Sequence, residues 1–189
     1  MLKISFLSSL LAFSLLFQAC SSQEKHKTNK EEANTPLHKD QIVLNSILNK
    51  KYVLKKTANG FTLKDSKAKI LILDIFATWC PPCQAEATHL SALEKKYKNK
   101  IKIIGISIED NIANEKLQAF ANAHNASYTL VNSAANREVI NEIANKLKLG
   151  QNFGIPLIVI YKDGKLVHYY QGAVEEEFID SDIKRALGI

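Results

Sequence analysis

Ile70-Leu71-Ile72-Leu73-Asp74-Ile75-Phe76-Ala77-Thr78-Trp79-Cys80-Pro81-Pro82-Cys83 is the stretch on which the reading of the chain turns. Its first seven residues are apolar except Asp74, and such a run reads as a strand buried on both faces. Proline suits the first turn of a helix, and Ala87, Leu90, Leu93 and Tyr97 share one helical face, so residues 81–98 read as the helix that follows. The cysteines therefore sit where a buried strand ends and a helix begins. Two residues apart, they can close a small disulfide and reopen it by thiol exchange. A helix N-terminus carries unpaired N–H groups and partial positive charge, which stabilise a thiolate at Cys80. The thiolate is the attacking species. Cys80 is read as a nucleophile, and the Cys80–Cys83 pair as a redox centre.

Outward from this centre, strand and helix patterns alternate. Residues 52–55 and 61–64 flank Asn59-Gly60, a turn signal that predicts a hairpin. Downstream, residues 101–108 read as a strand, 115–124 as a helix, 128–131 as a short strand and 136–147 as a helix. Residues 157–161 and 166–171 flank Asp163-Gly164 as a second hairpin, and 175–187 read as a closing helix. The pattern predicts an α/β fold with a mixed sheet and helices on both faces. Residues 40–50 carry Ile42, Val43, Ile47 and Leu48 and are expected to form a short helix or lead-in segment, with the domain occupying 51–189. Of 189 residues, 46% are hydrophobic, enough for one core, and 23% are charged, enough to cover it. The net charge of +6 comes from lysines spread along the chain, with no basic stripe of the kind that binds nucleic acid.

Apolar strand, Trp-Cys-Pro-Pro-Cys, helix, and far downstream Gly154-Ile155-Pro156 before a strand and an Asp-Gly hairpin resemble the thioredoxin fold. The strand–helix–strand inserted between the two motifs is similar to the TlpA-like branch of membrane-tethered thiol-disulfide oxidoreductases, which includes the cytochrome c maturation proteins. The resemblance implies that Cys80 is the exposed nucleophile and Cys83 the buried resolving cysteine. It implies that Trp79, Ile155 and Pro156 contact substrate, with Pro156 a cis-proline opposite the disulfide. Asp74, six residues before Cys80, matches the buried acid that exchanges a proton with the resolving cysteine in thioredoxin itself. Glu86, three after Cys83, matches an acid frequent in the TlpA-like branch and is read as a supporting residue. Leu157 replaces the threonine common after the cis-proline.

Other readings of the same residues are weaker in chemistry. Zinc wants four ligands, and no second cysteine pair exists. Haem attachment needs histidine directly after the second cysteine, where Gln84 stands. A purely structural disulfide across so short a loop saves little chain entropy. Asp74 alternatively reaches a neighbouring lysine, since an unpaired buried charge costs several kcal/mol.

The N-terminus carries an address. Met1-Leu2-Lys3 supplies a positive start, residues 4–17 an apolar stretch, and Ala19-Cys20 a small residue before a cysteine. This resembles a bacterial lipoprotein signal, 1–19, with Cys20 the acylated residue. The alternative, an uncleaved anchor, is short for a bilayer core of about 30 Å. Residues 20–50 then form a tether, charged and without apolar period in its first part, together with the lead-in segment.

The expected protein is thus a monomeric, extracytoplasmic, membrane-anchored thiol-disulfide oxidoreductase, on the periplasmic face if the cell is Gram-negative. It needs no cofactor, acts on protein disulfides or dithiols, and draws electrons from a membrane or exported thiol carrier. Proline at both positions between the cysteines removes N–H donors from the Cys80 thiolate, which favours a reductase over an oxidase. A redox-silent module holding metal or a partner is the alternative of a different class.

Overall fold

The structure, a computed structural model, describes residues 39–150 and 152–189. The expected signal 1–19, Cys20 and the tether as far as residue 38 lie outside the described residues. The elements run β1 (Gln41–Asn45), β2 (Lys51–Lys56), β3 (Phe61–Leu63), β4 (Ile70–Phe76), α1 (Pro81–Lys96), β5 (Ile101–Ser107), α2 (Asn114–Ala123), β6 (Thr129–Val131), α3 (Asn136–Leu147), β7 (Leu157–Lys162), β8 (Lys165–Gln171) and α4 (Glu176–Leu187).

β4 is the centre of a five-stranded sheet ordered β6-β5-β4-β7-β8. It pairs parallel with β5 and antiparallel with β7, and all seven of its residues are buried. Successive side chains of a strand point to opposite faces. Ile70, Ile72 and Phe76 therefore pack with Leu90 and Leu93 of α1, Phe120 of α2, and Ile179 and Ile183 of α4. Leu71, Leu73 and Ile75 pack the other way, with Val139 and Ile143 of α3 and with Ile42, Leu44, Leu54 and Phe61. The mixed sheet with helices on both faces is as the sequence predicts. At the β7–β8 turn, Asp163 and Gly164 both take positive φ (49° and 77°), which a two-residue hairpin of this hand requires.

The N-terminal part differs from expectation. Residues 41–45 are neither helix nor lead-in but a strand, paired with β2 from Gln41↔Lys55 to Asn45↔Lys51. The period is two: Ile42 and Leu44 are buried, while Gln41, Val43 and Asn45 are not. The predicted hairpin is thus two strands of a three-stranded sheet ordered β1-β2-β3. The turn after β1 lies along the free edge of β6, where Ile47 N–H donates to Leu130 C=O (3.1 Å) and Asn132 N–H to Asn45 C=O (2.8 Å).

Candidate active site

β4 leads straight into the cysteine pair. Cys80 has extended backbone (φ −88°, ψ 108°) and is the N-cap of α1, with Pro81 and Pro82 as the first two helical residues. Cys80 and Cys83 form a disulfide. An N-cap side chain takes up one of the orphan N–H groups of the first turn. Here Cys80 Sγ accepts from Cys83 N–H at 3.4 Å, and the two prolines have no N–H to add. Both cysteines are almost fully covered, each 3% exposed, whereas Trp79 beside them is 63% exposed.

The loop before β7 closes over the sulfurs. Ile155 C=O lies 3.8 Å from Cys80 Sγ, and the Ile155–Pro156 peptide is cis. Pro156 is buried, and its carbonyl accepts from Gly172 N–H at 2.8 Å. Trp79, Ile108, Ile140, Phe153 and Ile155 line an open groove of about 620 Å³ beside the pair. The structure thus brings Trp79, Cys80, Cys83, Ile155 and Pro156 to one end of the sheet, around one disulfide.

Asp74 lies on β4 two residues before Phe76, so it points to the α1 face, the same face as the cysteines. It is buried, and its partner is not a lysine. Asp74 Oδ2 accepts a hydrogen bond from the Tyr128 hydroxyl at 2.8 Å, while Oδ1 has no partner among the described residues. Burial pushes the Asp74 carboxyl up to about 7; the Tyr128 hydrogen bond opposes this, and the charge of Glu86 adds to it. Glu86 is one turn along α1 from Cys83 and also buried. Its Oε2 accepts from Val174 N–H at 3.3 Å, and its Oε1 is unpartnered among the described residues. Burial raises the Glu86 carboxyl, the Val174 hydrogen bond and His89 oppose, and Glu175 and Glu176 add to the rise. Two buried acids, both raised above their ordinary range, thus lie close to the disulfide, Asp74 on β4 and Glu86 on α1 itself.

Three contributors escape sequence reading. Glu109, just after β5, accepts from Thr78 N–H at 2.7 Å and from the Thr78 hydroxyl at 3.1 Å. Gln84 Nε2 donates to Thr78 C=O at 2.8 Å, so the residue before Trp79 is held from both sides. Burial raises the Glu109 carboxyl, but the Thr78 and Lys116 contacts outweigh it and hold the group below its ordinary range. Tyr128 is the third. No spacing in the sequence ties Glu109 or Tyr128 to the cysteines; only the glycine in the apolar strand 101–108 hints that something approaches there.

The family profile described as Redoxin matches residues 45–187. Thioredoxin-like protein YneN of Bacillus subtilis is 30% identical over 79 residues, which is 40% of this chain and 46% of the relative. That match spans less than half of the relative's own length. Thiol-disulfide oxidoreductase ResA of Bacillus anthracis is 26% identical over 185 residues, covering 95% of this chain and 90% of the relative. A thiol:disulfide interchange protein of the thioredoxin family from Chlorobium tepidum superposes with a TM-score of 0.62 at 20% identity, covering 79% of this chain and 94% of that one. The fold is thioredoxin-like.

Proposed function

The chain belongs to the Redoxin family, and on that premise we propose that it is a thiol-disulfide oxidoreductase, an extracytoplasmic reductase of protein disulfides. The Cys80 thiolate attacks a substrate disulfide, one substrate sulfur leaves as thiolate, and a mixed disulfide remains. Cys83 gives its proton to the Asp74 carboxylate and attacks Cys80 Sγ. The second substrate sulfur then leaves, and Cys80–Cys83 closes as the enzyme disulfide. Two electrons pass from the dithiol to substrate. A membrane or exported thiol carrier, itself oxidised, returns them. Trp79 and the backbone of Ile155, beside Pro156, receive the substrate as a short extended segment, and Glu86 supports the helix that carries Cys83.

The observation that carries the direction is the single N–H on Cys80 Sγ. A thiolate with one donor is less stabilised, so the reduced form is less stable and the couple more reducing. The potential is expected nearer the thioredoxin value of about −270 mV than the strong-oxidant value of about −120 mV. Equilibration against glutathione and thioredoxin buffers measures it, and a value above roughly −150 mV would make the protein an oxidase.

Residues 1–19 are proposed as a lipoprotein signal and Cys20 as the acylated anchor, which puts the domain that begins at β1 on a tether at a membrane. Cys20→Ala is expected to leave an unprocessed precursor without acyl label; normal maturation removes the anchor from the reading. Service to apocytochrome c is one substrate assignment consistent with the resemblance to the TlpA-like branch. Cys83→Ser, which leaves mixed disulfides at Cys80 unresolved, identifies the substrates directly.

A further inference from the structure

Asp74 and Gly105 stand opposite each other in the β4–β5 ladder. Gly105 shares a face of β5 with Ile101 and Ile103, the face covered by α1 and α2. A Cβ at position 105 would come within 2.8 Å of the Tyr128 ring and 2.7 Å of the Leu130 side chain. Both distances are below any real Cβ contact, so the missing side chain is a recess that the Tyr128 ring fills. Tyr128 enters from the residue before β6, passes across β5 at Gly105, and reaches β4, where its hydroxyl donates to Asp74 Oδ2. Tyr128 is 4% exposed and Asp74 3%, so the bond is made away from water. A hydroxyl has one proton to donate, and it goes to one carboxyl oxygen. The other oxygen, Oδ1, is left buried and, among the described residues, unpartnered.

We propose that Tyr128, seated in the recess at Gly105, is a positioning residue that holds the Asp74 carboxyl by Oδ2 and so reserves Oδ1 for the proton of Cys83. This rests on the reading of Asp74 as the proton partner of Cys83. Besides Cys83, the titratable side chains that act on Asp74 among the described residues are Tyr128 from beside β6 and Glu86 from α1. Its ladder neighbours are Gly105 and Ile158, which carry no charge. The hydroxyl favours the ionised carboxylate, the form that accepts a proton, and Glu86 disfavours it. Without the hydroxyl, Asp74 holds its own proton to higher pH and accepts one from Cys83 only in more alkaline solution.

The test is Tyr128→Phe in the full chain, which keeps the ring in its recess and removes only the oxygen. In the oxidised protein Cys83 cannot titrate, so the carboxylic C=O infrared band lost in Asp74→Asn reports Asp74 alone. Its midpoint is expected to rise by about one pH unit in Tyr128→Phe, the size of a lost bond to a charged acceptor. The pH profile for resolution of the mixed disulfide, followed by stopped flow, is expected to move upward with it, slowing resolution several-fold at pH 7. An unmoved carboxyl midpoint overturns the proposal. A moved midpoint with an unmoved rate profile leaves Tyr128 holding Asp74 but overturns the assignment of Asp74 to Cys83.

Discussion

The two faces of the central sheet are built from the same strands and serve different ends. On the face toward α3 and the N-terminal sheet, β4 contributes Leu71, Leu73 and Ile75 to a cluster whose fully buried members, among the described residues, are apolar side chains and Tyr161. On the face toward α1, the same strand contributes Ile70, Ile72 and Phe76, but also Asp74, and α1 adds Glu86 and the disulfide. A strand's alternation lets one residue in seven carry chemistry without disturbing the face behind it. Both faces hold the molecule together, and the one toward α1 also accepts a standing electrostatic penalty in exchange for titratable groups.

The sharpest way to separate the faces is to remove their central groups in turn. Cys80→Ser is expected to lower turnover of a model disulfide by ~10³-fold or more while leaving the thermal midpoint of the reduced protein nearly unchanged. Leu73→Ala, on the apolar face, is expected to do the reverse. Chemical denaturation should show a loss of about 2–5 kcal/mol, with the pH profile of the surviving native protein intact. A shifted profile would mean that the faces are coupled.

Asp74 makes the penalty measurable. Its folded carboxyl sits at about 7 against an ordinary value of 3.8. Between those values the native state binds a proton that the unfolded state does not, so stability falls as pH rises through the window. Wild type is therefore expected to lose on the order of 2 kcal/mol relative to Asp74→Asn between pH 5 and pH 8, read from urea melts at both. Glu86, also raised, adds to the slope in the same direction. A constant difference between the two proteins would show that Asp74 does not ionise in this window.

Glu109 lies at the end of the sheet where the strand ends meet. Glu109→Ala frees the Thr78 N–H and hydroxyl, and is expected to cut kcat/KM about tenfold through misplacement of Trp79 and Cys80. Trp79 is the single tryptophan of the chain, so its emission reports the loop directly. In wild type the Glu109 carboxyl is lowered, so its hold is present above the ordinary carboxylate range and is lost as pH falls through the folded value. Unchanged emission in the variant would show that Glu109 does not hold the Trp79 loop in place. The smallest effect is expected at the rim of the apolar face. Arg137 and Asp110 pair at 2.7 Å, but both are exposed, so Asp110→Ala should change stability by less than about 0.5 kcal/mol.

What the sequence disclosed follows from how local each signal is. Residues 70–83 are legible because a buried strand, a helix start and the cysteine pair are contiguous. The strand at 41–45 was obscured because Val43, Ile47 and Leu48 lie beside Ile42 and Leu44, and together they fit a helical period as well as an alternating one. Leu48, one of the residues that blurred the pattern, is 77% exposed. Asp74 was visible as an acid in an apolar run, but its partner was not. Tyr128 is 54 residues away, and Glu109 is 31 from Thr78. Such pairs exist only once β5 and β6 are laid beside β4 in register.

The turn after β1, laid along β6, has a consequence for molecules in company. A bare strand edge is a template on which another chain can add itself. Here the protein's own N-terminal segment donates to Leu130 and accepts from Asn132, so that template is already occupied. Proteins gathered on a surface collide far more often than the same number in free solution. With this flank sealed from within, crowding can raise the frequency of encounters without turning them into strand-by-strand aggregation along β6.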